Sequence, residues 1–190
     1  MQDLETAPDP FQALGVSMGY ELDAEVLRKH LLALQRRMHP DFFGDAEPEV
    51  RARAERSTAE LNSAYEILAD DRRRADWLVK SRGGPDEEQE RQMPQAFLME
   101  VLEWNETLEA AQSAAPGTPE RAALDELEET LRTERGRLMD AIGGMLAELP
   151  AEGSPVLADV RKELNAVRYV DRTLATMREL RLEQAAGTTS

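Results

Sequence analysis

The sequence contains no cysteine, and aromatic residues make up only 5% of its 190 positions. Without cysteine the chain forms neither disulfides nor thiolate metal sites, and only His30 and His39 supply imidazole, so we expect no metal and no cofactor. No apolar run approaches the roughly 20 residues that cross a bilayer, so we expect no membrane partner. With so few aromatic side chains, the core must consist mostly of Leu, Val, Ile, Met and Ala.

Positive charge is also scarce, because 23 Lys and Arg stand against 38 Asp and Glu and give a net charge of −15. Such a field repels phosphate backbones, so we expect no nucleic-acid partner. The N-terminal stretch MQDLETAPDPF has neither the basic nor the apolar region of a secretory signal, and we therefore expect a cytoplasmic protein. Leu, Ala, Glu and Arg dominate the composition, which favours an all-α fold.

Apolar residues recur at helical spacing in the first half of the chain. Asp23 is a candidate N-cap, and Pro40 ends the helix that follows, whose apolar face is Leu27, Leu31, Leu34 and Met38. A second helix follows the loop 39–49. One of its faces, with Tyr65 beside it, keeps the helical period at Val50, Ala54, Ser57, Leu61, Ala64 and Leu68. Together they predict an antiparallel hairpin, flanked by a short apolar element at residues 11–16 and a short helix at 71–80.

The second half of the chain begins after residues 81–93, where Gly-Gly-Pro and a run of charges indicate a domain boundary. Three helical patterns follow at 95–112, about 119–149 and about 156–184, with the near-heptad spacing of long helices packed at a shallow angle. We therefore predict a flexible lead (1–10), a helical-hairpin domain (11–80), a linker (81–93), a three-helix bundle (94–184) and a disordered tail (185–190).

The tripeptide His39-Pro40-Asp41 lies where a basic helix meets the hairpin loop. The polar side of this helix carries four cations, Arg28, Lys29, Arg36 and Arg37. One interpretation is structural, since a histidine is favourable at a helix C-terminus, a proline stops the helix and an aspartate stabilises a turn. In the other, the loop and the cationic face bind a negatively charged partner surface.

The helix at 95–112 has more apolar surface than one core needs. At 100° per residue, a narrow stripe on one side suffices to pack a bundle, namely Phe97, Val101, Trp104 and Leu108. Well off that stripe stand Leu98, Met99 and Leu102, with Glu103 and Glu106 beside them. This second strip is either a partner site or a wide core face. Tyr169, roughly opposite the core positions of the last helix, is either an anchor or an ordinary surface residue.

The run LLALQRRMHPDFFGD followed by AELNSAYEILADDRRRADWL resembles the J-domain of DnaJ-type co-chaperones over about residues 11–80. This resemblance implies that the His-Pro-Asp loop and the basic helix dock on an ATPase chaperone and stimulate its hydrolysis of ATP. J-domains commonly have a lysine after His-Pro-Asp, whereas Phe42 stands there in this chain. The positive charge of that lysine is therefore missing from the loop. Its loss affects how strongly the loop docks on the chaperone, and not whether it docks.

The segments FLMEVLEWNETLEA (97–110) and VRYVDRTL (167–174) resemble the first and last helices of the C-terminal domain of HscB-type J-domain co-chaperones. The resemblance implies an adaptor, not an enzyme, that delivers an IscU-like iron–sulfur scaffold protein to a DnaK/HscA-like ATPase chaperone. It implies that the chaperone binds His39, Pro40, Asp41, Arg28, Lys29, Arg36 and Arg37. It also implies that the scaffold binds Leu98, Met99, Leu102, Glu103, Glu106 and Tyr169.

Two positions depart from the HscB pattern. The family's Phe at the last scaffold position is Tyr169 here, and Trp104 replaces a smaller apolar residue, which we assign to the core. The alternatives are a general J-domain co-chaperone with a different client, or a purely structural helical protein. A hydrolase that uses His39 with Asp41 and a nearby carboxylate is disfavoured, because the sequence shows no base–nucleophile pair, no Gly-rich phosphate loop and no metal-ligand cluster.

Overall fold

A computed structural model of the chain describes residues 9–38, 47–114 and 117–187, and in these ranges it contains helices and no strand. The predicted all-α fold is confirmed. The helices are α1 (Pro10–Leu14), α2 (Ala24–Met38), α3 (Pro48–Ala69), α4 (Asp71–Ser81), α5 (Gln95–Ser113), α6 (Pro119–Leu146) and α7 (Val156–Gly187). The chain divides into two compact units, Met1–Leu78 with Leu146–Leu149, and Val79–Met145 with Pro150–Ser190. Within the described ranges, no helix combines the length and the apolar character that a membrane crossing requires.

The short helix α1 is defined by its two ends. Asp9 Oδ1 accepts a hydrogen bond from the Phe11 amide at 2.9 Å, and Pro10 occupies the first turn, where its missing N–H costs nothing. Gly15 ends the helix in the left-handed conformation, with φ of 65°. α1 therefore begins inside the segment that was predicted as a lead.

Helices α2 and α3 form the predicted antiparallel hairpin. Asp23 caps α2, because its Oδ1 accepts hydrogen bonds from the amides of Glu25 (2.8 Å) and Val26 (3.0 Å). The apolar faces of the two helices are buried together, at Leu27, Leu31, Ala54, Leu61, Ala64 and Leu68. The prediction was wrong at Val50, which is exposed in the first turn of α3 and takes no part in this core.

The end of the hairpin is held by one buried arginine at the start of α4. Arg74 Nε donates to the Tyr20 carbonyl oxygen at 2.6 Å, and its guanidinium also donates to the Leu68 carbonyl and to the Asp71 carboxylate. The same guanidinium lies 5.1 Å from the centre of the Tyr20 ring, in a cation–π contact. Arg74 thus joins the last turn of α3, the segment before α2 and α4.

Residues 82–93, within the segment predicted as a linker, pack on α7 in the second unit. Gly84 lies against α7 so closely that a Cβ atom there would meet the Leu157 Cβ at 2.8 Å. Arg161 Nε donates to the Pro85 carbonyl oxygen at 2.9 Å, and Asn165 Nδ2 donates to the carbonyl oxygens of Glu90 and Gln92, both at 2.9 Å. This segment is therefore anchored by two buried polar side chains of α7.

Helices α5, α6 and α7 form the predicted three-helix bundle. Its core contains the residues that the helical spacing selected on α7, namely Leu157, Val160, Leu164, Val167, Leu174 and Met177. α6 and α7 run antiparallel, and Arg135 Nε on α6 lies 2.6 Å from Asp171 Oδ1 on α7. α6 ends at Leu146, three residues before the predicted end, and α7 extends to Gly187, inside the predicted tail.

Candidate functional site

The His-Pro-Asp motif lies outside the described residues, as does Phe42. The cationic face of α2 is described, and all four of its cations are exposed: Arg28, Lys29, Arg36 and Arg37. Lys29 Nζ lies 3.7 Å from Glu25 Oε2, and both side chains are largely in water, so this ion pair contributes little. α2 therefore presents positive charge to solvent on the side away from its buried residues, Leu27 and Leu31.

The second strip of α5 faces solvent. Leu98, Met99 and Leu102 are 47%, 69% and 59% exposed, and we call these three residues the apolar strip. The core stripe of the same helix is buried at Phe97, Trp104 and Leu108, which confirms the assignment of Trp104 to the core. The interpretation of the strip as a wide core face is therefore wrong. Three neighbouring exposed apolar side chains are typical of a protein-binding surface.

Two exposed carboxylates accompany the apolar strip. Glu103 and Glu106 lie on the same side of α5, one and four residues after Leu102, and neither is buried. A desolvated apolar patch with charged groups at its edge is the usual arrangement of a protein–protein interface. The site can therefore bind a partner by apolar contact and orient it by charge.

Tyr169 of α7 is only half-buried and is linked to α5 at two points. Its hydroxyl donates a hydrogen bond to Asn105 Oδ1 at 2.8 Å, and its ring meets the Phe97 ring edge-on, with centroids 5.9 Å apart. Tyr169 was expected opposite the core positions of its own helix, Val167, Val170 and Leu174; its ring nevertheless reaches the core through the buried Phe97 of α5. Its remaining exposed surface lies beside α5, so it can contribute to a site that includes the apolar strip.

Asn105 was missed in the sequence. The helical period places it about 80° from Phe97, between the core stripe and Leu98, which lies at about 100°. That position marks it as a boundary residue, but the period alone does not show which helix lies beside it. Its contact with Tyr169 could be found only from the packing of α5 against α7.

Charged side chains of α5, α6 and α7 interact with one another in the bundle, namely Glu100, Glu134, Arg137 and Glu163. Arg137 Nε of α6 donates to Glu134 Oε2 at 2.7 Å, and this hydrogen bond raises the pKa of Arg137 above its ordinary value. Burial raises the pKa of Glu163 on α7; Arg137 opposes this shift and Glu134 adds to it. Burial and the Glu134 charge likewise raise the pKa of Glu100 on α5.

Among the described side chains, no group of three or more His, Cys, Asp or Glu is arranged to hold a metal ion.

The second unit matches a known protein family in sequence. Residues 93–178 match the family described as the HSCB C-terminal oligomerisation domain. This range includes α5, α6 and most of α7, and therefore the apolar strip and Tyr169.

Relatives with established names extend the match. A co-chaperone protein HscB homolog of Vibrio cholerae is 35% identical over 116 residues, which are 60% of this chain and 68% of the relative. A co-chaperone protein HscB homolog of Ralstonia nicotianae is 31% identical over 166 residues, which are 87% of this chain and 91% of the relative.

Two solved structures share the fold. The chaperone HscB from Vibrio cholerae has a TM-score of 0.73 at 24% identity and matches 93% of this chain and 99% of its own. The human co-chaperone protein HscB has a TM-score of 0.73 at 22% identity, over 97% of this chain and 86% of its own. Fold and sequence thus define a helical co-chaperone. The chain belongs to the HscB family of co-chaperones.

Proposed function

We propose that this chain stimulates the ATPase of a DnaK/HscA-like chaperone and delivers an IscU-like iron–sulfur scaffold protein to it. The exposed apolar strip carries the proposal, because a member of the HscB family that leaves Leu98, Met99 and Leu102 in water has a surface ready for a protein client. In this proposal, the scaffold contacts the strip, Glu103, Glu106 and Tyr169.

The proposed chaperone-binding site is the His-Pro-Asp loop with the cationic face of α2. The exposure of Arg28, Lys29, Arg36 and Arg37 supports the part of this proposal that lies within the described residues. Exposed cations on a chain of net charge −15 form a local positive surface that attracts a negatively charged partner. The acidic remainder of the chain repels the same partner, which disfavours other orientations of binding. His39, Pro40 and Asp41 act through the nucleotide cycle of the chaperone, and the chain itself catalyses no reaction.

The rest of the proposal concerns organisation and location. We propose that the J-domain spans residues 11–80 and the scaffold-binding domain residues 94–184. Joining the two sites in one chain raises the concentration of the client near the chaperone, since the second binding event becomes intramolecular. The expected location is the cytoplasm.

Replacement of the apolar strip tests the proposal. The variant with Leu98→Ser, Met99→Ser and Leu102→Ser should bind a purified IscU-type scaffold at least about 100-fold more weakly than wild type, because central apolar anchors carry most of an interface's free energy. Leu182→Ser is the matched control, since Leu182 is an exposed leucine on α7 and 71% of its surface is in water. Unchanged affinity of the strip variant, with its helicity preserved, would favour a J-domain co-chaperone with a different client.

A further inference from the structure

A groove lies between the segment 87–93 and α7, on the second unit. Arg91 and Met93 line one side, and Asn165, Arg168, Tyr169 and Arg172 line the other; we call it the arginine groove. Its walls are fixed in place, because the buried Asn165 donates hydrogen bonds to the carbonyl oxygens of Glu90 and Gln92, both at 2.9 Å. A groove whose walls are already ordered loses little conformational entropy when a ligand enters it.

The net charge of the groove differs in sign from the net charge of the chain. Three arginines and two glutamates, Glu87 and Glu88, line it, which leaves one net positive charge on a chain of net charge −15. Arg168 forms an ion pair with Glu87. Arg91 and Arg172 are exposed, and neither forms an ion pair within the residues that the structure describes. These two guanidinium groups are therefore available for a carboxylate from another molecule.

Tyr169 connects the arginine groove to the apolar strip. Its ring lines the groove, and its hydroxyl reaches Asn105 on α5. Around α5, Asn105 stands about 20° from Leu98 and about 60° from Leu102, whereas Glu103 lies about 160° away on the far side of the strip. The strip thus has arginines beyond one edge and a carboxylate at the other.

We propose that the arginine groove binds an acidic segment of the IscU-like scaffold protein, the partner that also covers the apolar strip. This inference rests on the proposed function, and it adds the chemistry of a second contact. Arg91 and Arg172 pair with carboxylates of the partner, while the methionine and tyrosine side chains that line the groove, Met93 and Tyr169, contact its apolar atoms. Opposite charges on the two sides of the strip fix the direction in which the partner lies, because the reversed orientation places like charges together.

The test measures the affinity of the full chain for a purified IscU-type scaffold protein over a series of salt concentrations. At low ionic strength Arg91→Ala and Arg172→Ala should each weaken binding about threefold, and the double variant about tenfold, as expected for exposed ion pairs. The double variant should also show a shallower dependence on salt. Lysine at both positions should restore most of the affinity. Arg178→Ala, at an exposed arginine of α7 outside the groove, is the control.

The outcomes separate this inference from the proposed function. If the strip variant loses the scaffold while the Arg91/Arg172 double variant retains wild-type affinity and salt dependence, the groove has no role and the proposed function stands. If the strip variant binds normally, the proposed function fails and the inference fails with it. A scan that replaces each exposed Asp and Glu of the scaffold by Ala supplies a second readout. At least one of these scaffold replacements should weaken binding to the wild-type chain but not to the Arg91/Arg172 double variant, because the arginine that it pairs with is already removed there. If every scaffold replacement has the same effect on both chains, the proposed role of the arginine groove is contradicted.

Discussion

The Tyr169 hydroxyl of α7 donates a hydrogen bond to Asn105 Oδ1 of α5 at 2.8 Å. The bond lies at the edge of the bundle core, because the Tyr169 ring also packs edge-on against the buried Phe97. A tyrosine held on both its apolar and its polar parts has one fixed orientation. Tyr169 is therefore an ordered part of the surface beside the apolar strip.

Two substitutions at Tyr169 should have different effects. Tyr169→Phe removes only a hydrogen bond between partly exposed groups and should lower the free energy of unfolding by no more than about 1 kcal/mol. Tyr169→Ala also removes the ring contact with Phe97 and should cost about 2 kcal/mol, with a loss of scaffold affinity. Chemical denaturation and scaffold titration measure both quantities. Equal effects of the two substitutions would show that the ring contact contributes nothing.

Serine at the three strip positions should leave the stability of the bundle within about 1 kcal/mol of wild type, because Leu98, Met99 and Leu102 are already largely in water. Leu131→Ala is the contrast, since Leu131 is fully buried on α6 and its truncation should cost about 2–5 kcal/mol. The chain has two tryptophans, Trp77 and Trp104. In a Trp77→Phe background, the fluorescence of Trp104 therefore reports the unfolding of the bundle. A large loss of stability in the serine variant would mean that the strip belongs to the core.

Arg74→Ala should destabilise the first unit by about 3 kcal/mol, because it takes this charged donor from the buried Leu68 carbonyl oxygen and from the partly buried Tyr20 carbonyl oxygen. Arg73→Ala is the control, since the Arg73 side chain is half-exposed and its ion pair with Glu66 is long, at 3.5 Å. Denaturation followed by Trp77 fluorescence in a Trp104→Phe background measures the first unit alone. Equal stability of the two variants would remove the role assigned to Arg74.

The pKa of Glu163 is raised by burial, which predicts a dependence of bundle stability on pH. A carboxyl whose pKa is higher in the folded state takes up its proton first in that state. Glu163 therefore lowers the free energy of unfolding by its full amount at pH values above its pKa in the folded state. This loss of stability is relieved as the pH falls toward the ordinary pKa of glutamate. The groups that face it are Arg137, Glu134 and Asp159.

Glu163→Gln removes this charge. We expect the variant to be more stable than wild type at neutral pH, with a difference that shrinks on acidification, since wild-type Glu163 is then protonated. Urea denaturation of both proteins from neutral pH to about the pKa of a free glutamate, about 4.3, measures the difference. Lower stability of the variant at neutral pH would show that the attraction between Glu163 and Arg137 outweighs the cost of burial.

The helices could be predicted from the sequence because each buries one face, and a buried face repeats with the helical period. This rule selected Leu27 and Leu31 on α2, and it also separated the buried Phe97 from the exposed Leu98 on α5. It was wrong at Val50, since the period shows which residues share a face but not how far along the helix the neighbouring helix reaches.

The remaining features depend on contacts between distant parts of the chain. The segment around Pro85 has the composition of a loop, and nothing in that composition shows that Arg161, 76 residues further along, donates a hydrogen bond to its carbonyl oxygen. Asn165 is a polar residue on an otherwise apolar face of α7, and the sequence does not explain it. The structure does, because the Asn165 amide donates to a backbone carbonyl of this distant segment. The contact of Tyr169 with Phe97 likewise follows from helix packing and not from spacing.

Stimulation of ATP hydrolysis tests the central claim most directly. A purified DnaK/HscA-type chaperone is titrated with the chain, with and without the IscU-type scaffold. We expect the chain alone to raise the hydrolysis rate and the scaffold to raise it further, and we expect Asp41→Asn to abolish both increases. Full stimulation by Asp41→Asn, or a rate that the scaffold leaves unchanged in the wild type, would contradict the claim that one chain joins the chaperone to its client.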